Sequence, residues 1–250
     1  MKTQWDYTNL AKAYLKRPNY SGTAIDAILK LADMTAGKRI CDIGAGVAHL
    51  TLELLSRRFL VMAIEPNDAM RILGERRTEH LSTVEWQEGT GEDTRQSSNK
   101  FDMVTFGSSF NVCDPQCALK ETARILKPCA CLVCLYNNRE LNDPIQSNIE
   151  SIIRRYLPDY NYGSRRDDHS QAIDQSDMFG PVVQISSKIL HTQKIEDCVE
   201  AWRSHATLER QAGLNFDLII KKIEEYLISL HCNEIKIPYR TNVWLSQKNE

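Results

Sequence analysis

The sequence predicts an α/β fold, a mostly parallel sheet carrying helices on both faces, and three observations lead to it. Short apolar runs alternate, up to Arg139, with segments whose apolar residues recur at helical spacing. The first run, Arg39-Ile40-Cys41-Asp42-Ile43, ends in a carboxylate and turns through Gly44 and Gly46 into a helix. Such a turn points backbone N–H groups and a helix N-terminus at the carboxyl edge of the sheet, where nucleotide cofactors bind. At the far end of the chain, Ile235, Ile237, Tyr239, Thr241, Val243 and Leu245 alternate onto one face, as an antiparallel edge strand closing the sheet would.

The bounds agree with that class. At 250 residues and 42% hydrophobic content, the chain can bury a sizeable core and suits one domain with an elaboration. Net charge is −2 and no Lys/Arg block exceeds two residues, so nucleic acid is not the expected partner. Met1 to Leu10 lacks an apolar signal core, and the runs around FLVMAI and ACLVCLY are too short to span a membrane, so a soluble cytoplasmic protein is expected. Of the eight cysteines, Cys129, Cys131 and Cys134 can be read as zinc ligands, or with Cys113 and Cys117 as a thiol site for a soft metalloid. They lie, however, in an apolar strand that turns Cys131 and Cys134 to opposite faces, so free thiols and no metal are expected.

Taken in order, the chain opens with a short helix from Leu10 to Lys16, broken at Arg17-Pro18-Asn19-Tyr20. Thr23 with Asp26 reads as the capping box of a helix bearing Ile25, Ile28, Leu29 and Ala32 and ending near Gly37. Phe59 to Ile64 is a second buried strand, closed by Glu65 about 20 residues after the glycine turn, where an acidic side chain can accept both ribose hydroxyls. Pro66-Asn67-Asp68 starts another helix, and Val84 to Gln87 is the third strand. Phe101 to Phe106 is the fourth, emptying into Gly107-Ser108-Ser109-Phe110-Asn111 at the edge where ligands bind. Asp114 as N-cap and Pro115 launch a helix to Leu126, and the fifth strand runs from Cys129 to Tyr136. Farther on, helical stripes centre on Ile149, Val199 and Ile223, while polar Tyr160 to Gly180 reads as a mobile loop or lid.

A dinucleotide fingerprint would need a third glycine where His49 stands. The string Asp42-Ile43-Gly44-Ala45-Gly46-Val47-Ala48 instead resembles motif I of the class I S-adenosylmethionine-dependent methyltransferases, D/E-x-G-x-G-x-G, with Ala48 in place of the last glycine. Leu126-Lys127-Pro128 resembles that family's L-K-P-G-G turn, with Cys129 at the first glycine. The likeness covers roughly residues 7 to 139. It implies a Rossmann-like, mostly parallel seven-stranded sheet with an antiparallel last strand, and a helical insertion between the fifth and sixth strands as substrate cover. The corresponding parts are cofactor-covering helices over 1–37, the cofactor-binding core over 38–139, the helical cover with the sixth strand over 140–234, and the closing edge strand over 235–250.

The resemblance implies S-adenosylmethionine as cofactor and S-adenosylhomocysteine as product. Asp42, Gly44, Ala45, Gly46, Glu65, Pro66 and Ser108 would bind it, with Glu92 or Asp93 beside the adenine amino group. Tyr14 and Arg17, in a Y-x-x-R-P-x-Y segment similar to one that folds over the cofactor in many small-molecule methyltransferases, would reach the methionine carboxylate; an amphipathic packing helix is the alternative. In-line displacement at a sulfonium needs positioning in a dry pocket, and the cation favours aromatic faces such as Tyr7, Tyr14, Tyr20 and Phe110.

His205 stands in Trp202-Arg203-Ser204-His205, a segment similar to a substrate-facing region in methyltransferases of the trans-aconitate and ubiquinone-biosynthesis types. It is the candidate base or substrate contact, unless it is a histidine hydrogen-bonded at a helix end. Asn111 belongs to the substrate-facing loop; Arg203, Tyr239 and Arg240 are candidates for an anionic substrate, and His169 joins them if the lid folds inward. His49 is expected to pack on the first helix. The expected function is methyl transfer to a small-molecule acceptor, with oxygen leading, by a monomer or homodimer. RNA (tRNA) methylation is a second reading, disfavoured by the lack of a basic stripe and of an N-P-P-Y-type motif at Ser108 to Asn111. A non-catalytic S-adenosylmethionine-binding protein is a third.

Overall fold

The computed structural model describes residues 7–250. Its seven strands are β1 (Arg39–Ile43), β2 (Leu60–Ile64), β3 (Val84–Gln87), β4 (Phe101–Gly107), β5 (Leu126–Arg139), β6 (Val183–Lys194) and β7 (Glu234–Gln247). They form one sheet in the order β3-β2-β1-β4-β5-β7-β6. β1 to β5 pair in parallel, and β7 runs antiparallel to both of its neighbours.

Strand periodicity divides the core. Cys41, Ile43, Leu132 and Cys134 face one side, where α5 (Pro115–Ile125) packs through Ala118 and Leu119. Ile40, Cys131 and Val133 face the other, against α2 (Gly22–Leu31) and α3 (His49–Ser56). Cys131 and Cys134 therefore point to opposite faces. Among the described residues no three His, Cys, Asp or Glu side chains converge to hold a metal, and no helix is long and apolar enough to cross a membrane.

Side-chain caps set four of the helix starts. Asn67 caps α4 (Asp68–Thr78), and Asp114 caps α5 through the Cys117 amide at 2.9 Å, with Pro115 in the first turn. Asp143 does the same for α6 (Pro144–Tyr156). The cap of α2 is Ser21, which accepts from the Ala24 amide, rather than Thr23; the helix starts earlier than expected and ends at Leu31. The short helix α1 (Ala11–Tyr14) follows a single 3-10 turn, Thr8–Leu10.

Three features differ from expectation beyond residue 126. β5 starts at Leu126, because its register against β4 shifts between Phe101 and Met103 and Cys129 adopts φ 59°, the left-handed conformation that a glycine would take there. The strand over 235–245 is antiparallel but not at the edge: β6, unassigned in the sequence, pairs along its whole length and takes the edge itself. The helical region is consequently split. α6 and α7 (Ser170–Asp174) precede β6, whereas α8 (Ile195–Arg203), α9 (Ala206–Ala212) and α10 (Phe216–Ile228) follow it. α6, α8, α9 and α10 share one apolar cluster with Ile235, Ile237 and Tyr239 of β7.

The segment from Tyr160 to Gly180 is docked rather than loose. Ile173 and Phe179 are buried in the sheet's core, and Asp168 accepts from the Trp244 indole N–H at 2.7 Å. Its anchors are single residues without a period, which pattern reading cannot distinguish from loop.

Candidate active site

The glycine turn after β1 is built on backbone geometry. Gly44 and Gly46 take φ 68° and 56°, and Ala48 follows at 71°. A Cβ on Gly44 would lie 2.3 Å from that of Ser109, so the turn also needs glycine for space. Asp42 is fully buried and accepts from Thr51 Oγ1 at 2.7 Å and Thr105 Oγ1 at 2.9 Å, tying β1 to α3 and β4. Burial pushes its carboxyl up to about 6, against the lowering effect of the two hydroxyls.

At the tip of β2, Glu65 accepts from the Gly46 amide at 2.8 Å and the Asn67 amide at 2.9 Å. Burial pushes this carboxyl up to about 7, the backbone donors opposing. Ser108, at φ 58° after β4, shares a 3.0 Å hydrogen bond with the Tyr20 hydroxyl.

These groups line one cavity at the carboxyl edge of the sheet, together with Ala45, Pro66 and Glu92. The N-terminal segment covers it through Tyr7, Tyr14 and Arg17. Arg17 stacks on the Tyr14 ring at 3.8 Å and donates to Ser204, at 2.9 Å to Oγ and 2.6 Å to the carbonyl. His49 joins the same cover, its Nε2 2.9 Å from the Tyr14 carbonyl, in keeping with packing on the first helix.

The opposite wall comes from the later part of the chain. His205 is buried there, stacked on Trp202 at 5.4 Å, and burial with the nearby arginines pushes its imidazole well below the ordinary value, to the neutral form. Tyr239 lines the cavity, its hydroxyl buried.

Six expected site residues lie elsewhere, Arg240 among them, paired with Glu140 at 2.6 Å. Asp93 turns outward to accept from the Arg95 amide at 3.2 Å, leaving Glu92 at the cavity. Phe110 packs inside the core at 5.4 Å from Phe106. Asn111 donates its amide to the Tyr136 hydroxyl at 2.8 Å and does not reach the cavity. His169 is wedged between Tyr136 and Trp244, with centroids 4.7 and 4.9 Å away. Arg203 pairs with Glu200 at 3.0 Å on its own helix, away from the cavity. In each case the neighbouring strand or helix chooses the direction of the side chain.

Sequence reading in turn missed Arg139, Tyr162, Arg165 and Arg166, which line the cavity. Arg139 ends β5, and the other three belong to the segment read as a polar loop. The Arg165-Arg166 pair was the available signal, legible only once the segment's docking is known.

Residues 41–134 match the methyltransferase domain family. An uncharacterised methyltransferase of Mycobacterium tuberculosis is 34% identical over 124 residues, 50% of this chain and 48% of that protein. Demethylmenaquinone methyltransferase of Staphylococcus carnosus is 30% identical over 112 residues, 43% of this chain and 46% of that one. The chain thus spans about half the length of the curated relatives it matches. The fold is shared with Haemonchus contortus phosphoethanolamine N-methyltransferase 2, solved with phosphomonomethylethanolamine and S-adenosylhomocysteine, at TM-score 0.56 and 15% identity over 99% of this chain and 58% of that one. Residues 41–134 thus carry a methyltransferase domain, and the glycine turn and the β3-β2-β1-β4-β5-β7-β6 order agree with a class I methyltransferase fold.

Proposed function

We propose that this protein transfers a methyl group from S-adenosylmethionine to a small molecule, at an oxygen atom. The observation that carries the reading is the single cavity in which the glycine turn, Glu65 and Arg17 meet. Glu65 uses two of its roughly four lone-pair positions on backbone amides, which leaves acceptors for two ribose hydroxyls. Arg17 has no carboxylate partner among the described residues and suits the methionine carboxylate. Glu92 is the acid for the adenine amino group, and the Tyr7, Tyr14 and Tyr20 rings offer faces to the sulfonium.

The bound sulfonium supplies an electrophilic methyl: a lone pair of the acceptor oxygen forms the new C–O bond while the S–CH3 pair leaves with sulfur. This chain's task is to orient the acceptor and exclude water, an effect of about 7–11 kcal/mol in well-positioned reactions. His205, neutral and buried at the wall, orients the acceptor. The relative named demethylmenaquinone methyltransferase and the neighbour solved with S-adenosylhomocysteine support a small-molecule acceptor and this cofactor.

Calorimetric titration with S-adenosylmethionine, S-adenosylhomocysteine and NADH tests the reading. Micromolar binding of both sulfur compounds is expected, weakened at least about tenfold, or about 1.4 kcal/mol, in Glu65→Ala and Arg17→Gln. Binding of NADH alone would return the glycine turn to dinucleotide chemistry.

A further inference from the structure

We propose that the methyl acceptor is an acidic small molecule whose oxyanion, a carboxylate or a phosphate, is held by Arg139, Arg165 and Arg166 on the wall opposite the glycine turn. The proposal rests on the methyl-transfer reading above and adds the substrate class. The three guanidinium groups line one cavity, and among the described residues none has a carboxylate within ion-pair distance. Outside the cavity Arg57, Arg71, Arg124, Arg154, Arg203 and Arg240 each have an Asp or Glu oxygen at 2.5 to 3.0 Å. The acids at the cavity are committed to other donors, Asp42 to Thr51 and Thr105, Glu65 to two backbone amides, and Glu92 to the Asp114 amide at 2.7 Å.

The arginines are also held in place. Arg139 lies 4.0 Å over the Trp202 ring and Arg166 lies 4.4 Å over Tyr162, whose hydroxyl donates to Glu150 at 2.5 Å. Arg166 donates to the Arg139 carbonyl at 2.8 Å, which joins the 3-10 turn Gly163–Arg166 to the end of β5. The two stacked guanidinium groups carry like charges, and an oxyanion that accepts from the forks of the three arginines offsets their repulsion.

A second observation points to a ligand at the same wall. Among the described residues, Arg139 Nε and His205 Nδ1 are buried with no hydrogen-bond partner. A polar ligand that met these groups would remove a penalty that each otherwise carries. His205 agrees with the substrate class, because a ring kept neutral by burial and by the nearby arginines is a poor proton acceptor. A carboxylate oxygen needs no deprotonation: its lone pair takes the methyl, the S–CH3 pair goes to sulfur, and no proton is left over.

The test is calorimetry on protein saturated with S-adenosylhomocysteine, titrated with tricarballylate, with pyrophosphate and with tricarballylamide as the neutral analogue. The loaded protein is expected to bind at least one of the two anions at least tenfold more tightly than the amide. Preference for tricarballylate identifies a carboxylate substrate, and preference for pyrophosphate a phosphate one. Arg165→Gln, in a partly exposed turn, is expected to weaken the preferred anion at least tenfold while S-adenosylhomocysteine affinity and Tm stay unchanged. Arg166→Gln gives an independent second variant on the same turn. Anions binding no better than the amide, or equally well in both variants, would overturn the proposal while leaving methyl transfer intact. Failure of S-adenosylhomocysteine to bind the unmodified protein would remove both readings, and is seen before any anion is added.

Discussion

Glu65 closes β2 with its carboxylate on the amides of Gly46 and Asn67, so one side chain fastens the glycine turn and faces the cavity. Its pKa of about 7 lies above the ordinary 4.5, so the folded chain holds this proton more tightly than the unfolded chain does. The contribution of this group to stability is therefore full below the unfolded value and declines as pH rises through the folded one. On the proposed reading ligand binding should run the other way, because the carboxylate form would accept from two ribose hydroxyls. S-adenosylhomocysteine affinity is expected to rise from about pH 6 to about pH 8, with proton release on binding, and to become flat in Glu65→Gln. Calorimetry in buffers of differing ionisation enthalpy checks both, and a flat profile in the unmodified protein would contradict the prediction.

At the scale of elements, α4 meets the sheet through Gly74. A Cβ there would come 2.1 Å from the Trp86 ring and 2.9 Å from the Gly46 carbonyl, while the Trp86 indole is held by Thr78 Oγ1 at 2.9 Å. Alanine would gain about 1 kcal/mol of helix propensity, but overpacking costs about 1–3 kcal/mol, and neither backbone nor anchored ring can yield cheaply. Gly74→Ala should therefore lower stability by about 1–2 kcal/mol in urea unfolding, with weaker cofactor binding because the Gly46 carbonyl belongs to the glycine turn. The N-terminal segment is a different kind of element. Beyond two short helical turns it is held by Arg17 on Ser204, and by the Lys16 carbonyl, which accepts from Gln193 at 2.6 Å.

Across the whole molecule, two apolar clusters fill the faces of the sheet and a third, built from α6, α8, α9, α10 and β7, carries the cavity wall opposite the glycine turn. Trp202, beneath both His205 and Arg139, belongs to this third cluster. Ile223 is fully buried in it. Ile223→Ala is expected to cost about 2–5 kcal/mol, read as a lowered Tm at about 2–4 °C per kcal/mol. Because the cluster shares no residue with the glycine turn, S-adenosylhomocysteine affinity should change less than acceptor binding does. An equal loss of both would show that the two halves of the cavity are not separable.

The sequence by itself determined β1 to β5, their alternation with helices, the cap at Asp114, and the glycine turn with Asp42 and Glu65. Each of these depends on a few adjacent residues: a period of two, a capping oxygen, a positive φ. Only the tertiary structure decided that β6 forms the edge, that Tyr160 to Gly180 docks, and which polar side chains meet. Phe110, Asn111, His169 and Arg203 had suitable chemistry, but their partners Phe106, Tyr136, Trp244 and Glu200 claim them. Arg139 and Arg166 meet because a 3-10 turn lies against the end of β5, a contact between positions 27 residues apart that no local pattern encodes. Position along an element is written in neighbouring residues, whereas the direction a polar side chain takes is set by whichever distant element packs beside it.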